Sequence, residues 1–598
     1  MIINKKENTL LNRCLPIMGE IPLKLKEIAR KYALLNAVKY GGRASFKAVM
    51  GKIISEQPEL KSKTKEISII LKKIVEQVNK ISLEEQKLLA SQFSIPKEEE
   101  KVEEKILPSL PNVDSVENVV MRLAPYPSGP LHIGNARMVV LNDEYVKRYN
   151  GSLLLVFDDT IGSEEKVILP EAYDLILEGL NWLETGWHKT LYKSDRLPIF
   201  YKWCRKLLED GFAYVCVCEP SRWREKYKLT KQACPCRGLE TEENLDRWER
   251  MTDGTYGVGE AAVRLKTGME VEDPALRDHV IMRISDRVHP RVGSKYRVWP
   301  LLEFSWAIDD ALLGVTHILR GKDLIKEDKV ERIVWDLLGF KSREFIHYGT
   351  IRFADLSLSK SRSRRLIDKG IYYGWTDPRT WSLQSLQKRG FESEAVRQAI
   401  LDLGLSLTDI DYSPSMLYAV NRKMIDPIAD RLFFIDIPME LIVENGPDDD
   451  IIAANPPKHP DYPDRGKRHI SIPLKNGCFS VYISKSDVER LRVGDVIRLK
   501  DLANIEIESV LKERITTSYH SRTIGDARKL DVKIIIHWVP TDDNVPLEVV
   551  MDNGEIIEGL GEPECINLSE GSIVQFERYG FVKVDRLKPL TRVYFAHP

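Results

Sequence analysis

The spacing of hydrophobic and polar residues changes along the 598-residue chain, and each change marks a different kind of structure. Ile67, Ile70, Leu71, Ile74, Val75 and Val78 recur at three- and four-residue steps, which predicts an amphipathic helix within a helical N-terminal region, 1–95. The next stretch, IPKEEEKVEEKILPSLPN, carries a charged run and three prolines and reads as a linker, assigned to 96–115. VVMRLA (Val119–Ala124) is short and apolar like a buried strand. A turn follows, then a helix paced by Ala136, Val139, Val140, Tyr145, Val146 and Tyr149 and stopped at Asn150-Gly151. SLLLVFDD (Ser152–Asp159) is a second buried strand, so the segment is a βαβ unit.

A second such unit reads as strand GVTHILRG (Gly314–Gly321), helix Lys322–Gly339 and strand FIHYGTIRF (Phe345–Phe353). The chain is thus expected to be multidomain, with an α/β Rossmann-like domain in two halves, 116–210 and 306–370, split by an insertion, 211–305. A helical connector, 371–425, leads to short β-branched runs broken by Gly, Asp and Pro over 426–598, expected to form one or two all-β barrels.

Composition excludes some classes. With 43% hydrophobic and 30% charged residues and no apolar run near ~18 residues, the chain is not expected to cross a membrane. Its start lacks a secretory leader, so a reducing cytoplasmic location without disulfides is expected. The net charge of −1 leaves nucleic-acid binding to local patches. One such patch is Ile21–Lys80, with 14 Lys/Arg against 5 Asp/Glu. It reads first as a solvated helical face, with RNA binding as the sharper alternative.

Chemistry concentrates at three places. The turn after the first strand runs Pro125-Tyr126-Pro127-Ser128-Gly129-Pro130-Leu131-His132-Ile133-Gly134-Asn135. Amides at a helix start attract phosphate, Gly134 would admit a nucleotide to the backbone, and His132 can donate to phosphate oxygens. A lone His-x-Gly is mostly structural, and the strand–turn–helix setting is what favours a phosphate site. Beyond the second unit, LSLSKSR (Leu356–Arg362) puts Lys360 on a Ser-rich loop, where a cation can follow charge developing on leaving phosphates. Alone this is a basic surface loop; paired with the first motif across one split sheet, it completes an ATP site. Cys216-x-Cys218 and Cys234-x-Cys236 can close a tetrahedral zinc site inside the insertion, the alternative being four free buried thiols. Cys14, Cys204, Cys478 and Cys565 are expected to be structural.

At these residues the chain resembles the class I aminoacyl-tRNA synthetases, with LHIGN in the place of HIGH and SLSKS in the place of KMSKS. The closer likeness is to the archaeal-type glutamyl-tRNA synthetases. It runs through MRLAPYPSGPLHIGNAR, VFDDT, VWPLLEF, AIDDALLGVTHILRGKD, IIIHWVP and FERYGF, and includes NAVKYGGRA in the N-terminal appendage. There are departures: Asn135 replaces the second histidine, Ser357 replaces the first lysine, and Leu302 stands where bacterial relatives usually have a substrate-contacting tyrosine. An amide can still bond ATP, whereas the loss at 357 shifts phosphate neutralisation onto Lys360.

The resemblance implies an ATP site of Pro125, Gly129, His132, Gly134, Asn135, Ser359 and Lys360, with His132, Asn135 and Lys360 as the catalytic set beside Mg²⁺. It implies that Arg122 and Arg320 face the amino acid, with Arg320 on its side-chain carboxylate and Asp158 on its α-ammonium. A surface arginine closing a strand end is the plain alternative for Arg320. The implied activity is ATP-dependent ligation of L-glutamate to tRNA(Glu). The implied cofactors are ATP, Mg²⁺ and a structural Zn²⁺ on Cys216, Cys218, Cys234 and Cys236. The β barrels would read the anticodon and the insertion would pack on the acceptor end, in a monomer, with charging of tRNA(Gln) left open. Two other readings stand beside this one: a glutaminyl ligase, which Arg320 disfavours, and a tRNA-binding or scaffolding protein without chemistry.

Overall fold

The structure, a computed structural model, describes residues 23–39, 42–56, 64–90, 107–163, 167–353, 356, 358–511 and 514–598. Cys14, Ser357 and residues 96–106 of the expected linker lie outside the described residues. The chain forms two compact units, Met1–Glu103 and Glu104–Pro598.

The first unit holds helices Leu23–Lys39, Phe46–Glu56, Thr64–Val78 and Leu83–Ala90. Ala29, Ala33 and Ala37, four residues apart, form a flat buried stripe that admits the neighbouring helices. Of the expected apolar face, Ile67, Leu71, Val75 and Val78 are buried, whereas Ile70 and Ile74 sit at its margin. Polar ties fix the loops: Ala44 N–H donates to Asn79 Oδ1 (2.7 Å), and Gln86 Nε2 donates to the Val78 carbonyl (2.8 Å).

In the second unit, residues 107–115, expected as linker, are packed on the α/β core. Leu110 is buried and its N–H donates to Tyr149 Oη, while the carbonyls of Pro108 and Pro111 accept from Tyr145 Oη and His317 Nε2. Strands Val120–Leu123, Ser152–Phe157 and Lys189–Tyr192 pair in parallel, with helix Ile133–Arg148 crossing between the first two. Strands His317–Gly321 and Glu344–Tyr348 form a second parallel pair connected by helix Ile325–Leu338. The halves meet where Thr316 N–H donates to the Val120 carbonyl and Val120 N–H donates to Thr316 Oγ1, both at 2.9 Å. Between them lies an antiparallel sheet of Ala213–Cys216, Ala262–Leu265, Val280–Ile284 and Val298–Pro300.

FIHYGTIRF is not the single strand expected. It breaks after Tyr348, and Ile351–Phe353 pairs instead with Ile410–Tyr412. Gly349 makes the break: its N–H donates to the Ser406 carbonyl (2.6 Å), and a Cβ there would lie 2.1 Å from the Thr408 carbonyl oxygen.

After helices Leu383–Arg389, Ser393–Leu401 and Pro414–Ile425, the chain enters two seven-stranded sheets. One joins Asp430–Leu432 and Phe434–Asp436 to strands between Val545 and His597; the other is built from strands between Pro438 and Pro540. The second β domain is thus nested in the sequence of the first, and the chain leaves for it at Ile437, whose φ is +40°. Among the described residues no helix is long and apolar enough to cross a membrane.

Candidate functional site

The carboxyl ends of the parallel strands carry the chemistry, as expected of such sheets. On the nucleotide side, His132 caps helix Ile133–Arg148 with a reciprocal pair of bonds: its Nδ1 accepts from Gly134 N–H (3.1 Å), and its own N–H donates to Asn135 Oδ1 (3.2 Å). Burial, then the charge of nearby Lys360, pushes the imidazole down to about 3, so the ring is neutral. With Nδ1 accepting, the ring proton sits on Nε2, which is left as the donor. Asn135 therefore builds the helix start as well as being a candidate ATP contact. The expected reason for Gly134 is corrected: the space over it is taken by the His132 ring, 3.0 Å from a would-be Cβ, and by Leu358 at 3.2 Å. The glycine makes room for the histidine and the lysine loop, not directly for a nucleotide.

Lys360 opens helix Lys360–Asp368, which Ser359 caps by accepting from Arg362 N–H (3.3 Å). Its Nζ reaches the Gly129 carbonyl (3.4 Å), so the two motifs meet, and burial pushes its pKa down to about 8. His132, Lys360, Ser363, Thr380 and Ser382 line one small pocket. Pro125 lies at the start of the same turn, where its carbonyl accepts from Asp158 N–H (3.1 Å).

On the other side, Arg122, Asp158, Lys193 and Arg320 stand at or just past the ends of four parallel strands. All are buried, which removes the surface-arginine reading of Arg320. Arg122 grips Asp310 with two bonds, Nε to Oδ1 (2.6 Å) and Nη2 to Oδ2 (2.8 Å). Arg320 pairs with Asp328 and with Glu331 (2.7 Å), and Lys193 pairs with Asp158 (2.9 Å) and donates to Ser305 Oγ (2.7 Å). Burial pushes Glu331 up despite Arg320 and Arg122. Helix Leu302–Leu312 supplies Ser305, Trp306, Asp309 and Asp310 to this cluster. Sequence reasoning missed Lys193, Trp306 and Glu331. LYKSDRL has no local sign of burial, and a tryptophan among apolar helix residues reads as core.

In the insertion, Cys216, Cys218, Cys234 and Cys236 have their sulfurs within 4.8 Å of one another. The pairs 216–234 and 218–236 are 3.9 and 3.8 Å apart. Zinc–thiolate bonds of ~2.3 Å give a tetrahedron whose edge is ~3.8 Å, so the donor set fits Zn²⁺. Arg247 Nη1 approaches Cys236 Sγ at 3.5 Å. The insertion is anchored to the strand ends by His289, whose Nε2 bonds the Asp159 carbonyl (2.8 Å), and by Arg287, which donates to the Ile161 carbonyl (2.7 Å).

Between the β domains lies an open pocket lined by Arg431, Pro457, Pro460, Lys500, Gln575, Glu577 and Arg578. Glu577 is held low, at about 2, against its own burial, by His537 and Lys500. Asp487 fixes Arg578 with two bonds, at 2.9 and 2.7 Å.

A split parallel sheet with a histidine-capped turn and a buried lysine meeting at its carboxyl edge, followed by paired β domains, is the arrangement expected of a nucleotide-using catalytic unit joined to a recognition region. Comparison with known proteins makes this specific. The family "tRNA synthetases class I (E and Q), catalytic domain" matches residues 118–427, and the two anticodon-binding domain families of the same group match 429–522 and 535–585. A glutamate–tRNA ligase of Methanopyrus kandleri is 41% identical over 574 residues, 96% of this chain and 99% of that protein. Those of Pyrococcus furiosus (43% over 580 residues, 95% and 98%) and Methanobrevibacter smithii (41% over 575 residues, 96% and 99%) are similarly close. The chain belongs to the glutamate and glutamine (E and Q) group of class I tRNA synthetases.

Proposed function

We propose that the chain is a glutamate–tRNA ligase: it activates L-glutamate with ATP and transfers the glutamyl group to the 3′ end of tRNA(Glu). The observation that carries this reading is the convergence of three buried cations and Asp158 on strand ends beside the His132–Lys360 turn. The α-carboxylate of glutamate, ionised at neutral pH, attacks the α-phosphorus of ATP. A new carboxyl–phosphoryl bond forms as the bond to pyrophosphate breaks, and no side-chain base is needed. Neutral His132 donates from Nε2, Lys360 neutralises the departing phosphates, and Asn135, Gly129 and Ser359 shape the turn and loop that hold them. A terminal ribose hydroxyl of tRNA then attacks the activated carbonyl and AMP leaves.

Mg²⁺, bound to the ATP phosphates, would offset part of their charge. The cavity's own donors are neutral or cationic, so no protein carboxylate is assigned to it. Zn²⁺ on the four cysteines would be structural, holding the insertion that is proposed to face the acceptor end. The cationic cavity between the β domains suits an unstacked anticodon base, with Gln575 and Arg578 offering edge donors. Arg320 favours a carboxylate over glutamine's amide, because an amide NH₂ would face guanidinium donors. The enzyme would act as a cytoplasmic monomer. ATP–pyrophosphate exchange with tRNA present, run with glutamate and with glutamine, tests the reading: exchange with glutamate alone is expected, and none with glutamate would overturn it. Charging purified tRNA(Glu) and tRNA(Gln) settles the RNA substrate.

A further inference from the structure

Trp306 lies where three cations converge. Arg122 Cζ, Arg320 Cζ and Lys193 Nζ stand 4.8, 5.0 and 5.1 Å from its ring centroid. They come from the ends of three different strands, so local sequence gives no reason for them to share one indole. A ring face attracts cations, and one electron-rich ring can hold several in register where their mutual repulsion would otherwise splay them. Each cation also has an internal counter-ion: Asp310 for Arg122, Asp158 for Lys193, and Asp328 with Glu331 for Arg320.

The cluster is nevertheless incomplete. Trp306 is 5% exposed, yet its Nε1–H has no hydrogen-bond partner among the described residues, and neither does Glu331 Oε2. A buried indole normally finds an acceptor, and phenylalanine would fill the core without leaving a donor stranded. The ring that carries this unused N–H is the one on which the three cations converge.

We propose that Trp306 is a specificity-determining residue of the amino-acid pocket, donating its indole N–H to a carboxylate oxygen of bound glutamate while its ring keeps Arg122, Lys193 and Arg320 in place. This rests on the glutamate reading above. A carboxylate can only accept, so it satisfies the indole and the cations together. A carboxamide in the same place brings its own N–H groups against those donors. Lys193, which touches Asp158 and Ser305, serves as a positioning residue for the α-ammonium contact.

The test is Trp306→Phe in the full chain, assayed by exchange with tRNA present. Loss of one bond to a charged group is expected to raise KM for glutamate by about tenfold or more, with kcat and KM for ATP changing by less than about twofold. A glutamate KM within about twofold of wild type overturns the proposal. Wild-type protein carrying 5-fluorotryptophan gives a second readout that does not depend on the variant folding. In its ¹⁹F spectrum a tryptophan resonance, the one missing from the variant where that folds, is expected to shift with glutamate and not with glutamine. No tryptophan resonance responding to glutamate overturns the proposal. Wild-type enzyme inactive with glutamate fails the ligase reading itself, a distinct result.

Discussion

Lys360→Ala separates catalysis from folding more cleanly than any other change at the site. Among the described residues the lysine makes one long hydrogen bond, Nζ to the Gly129 carbonyl at 3.4 Å, and burial works against its charge. Removing it therefore forfeits little native stability; a change within about 1 kcal/mol is expected. On the proposed mechanism its worth lies in the transition state, where a charge-assisted bond to phosphate oxygen contributes about 1.5–3 kcal/mol. At about 1.4 kcal/mol per factor of ten, that is roughly a 10- to 150-fold loss in the rate of adenylate formation. Ser357 cannot share the load as a cation, so no second lysine of the motif backs it up. The assay is ATP–pyrophosphate exchange with tRNA present, alongside a thermal melt of the same preparation. Unaltered exchange in a normally folded variant would refute the role given to Lys360.

Gly134→Ala puts a methyl 3.0 Å from the His132 ring and 3.2 Å from Leu358. It should raise KM for ATP at least about threefold and cost about 1–3 kcal/mol, and an unchanged KM would show that the ring has room to move. Purified protein should carry about one zinc per chain by elemental analysis, and Cys216→Ser should lose it, whereas zinc-free wild type at full stability would exclude the site. His132 titrates lower when folded than when unfolded, so the unfolded chain binds more protons between about pH 3 and 6.5. Stability therefore rises with pH across that window, and His132→Gln should flatten the rise in urea unfolding curves taken from pH 4 to 6.5. Lys360, charged below about pH 8 in the free enzyme, predicts a KM for ATP that climbs above that pH.

Periodicity and turn chemistry made the first βαβ unit legible, because Val120–Leu123 and Ser152–Phe157 are short, apolar and bounded by a proline-rich turn and Asn150-Gly151. The second unit was legible except for its last strand. FIHYGTIRF keeps strand character on both sides of Gly349, and only the approach of the Thr408 carbonyl, about 60 residues on, requires the break. The β-rich texture after residue 425 showed barrels but not their nesting. Which strands share a sheet is decided by pairing between Asp430–Asp436 and segments beyond Val545, a contact that no local pattern encodes.

The site divides along the same line. His132, Gly134 and Lys360 were readable because each sits in a short motif whose backbone does part of the work, a helix cap or a loop start. Arg122, Asp158 and Arg320 came from family likeness, since nothing in MRLA, VFDD or HILRG separately announces a binding residue. Lys193 and Trp306 had neither help: their place in the buried cluster, and so the roles proposed for them, comes from four strand ends and one buried helix converging on a common point. That convergence also explains the many internal carboxylates. Three buried cations around one ring would repel and unfold the site if each lacked a counter-ion, so Asp310, Asp158 and the Asp328–Glu331 pair hold them when no substrate is bound. A substrate must then compete with those carboxylates for the same donors. On the glutamate reading proposed above, the α-carboxylate is common to all amino acids, so it is the additional side-chain carboxylate that would let glutamate compete for these donors where glutamine's neutral amide would compete less well.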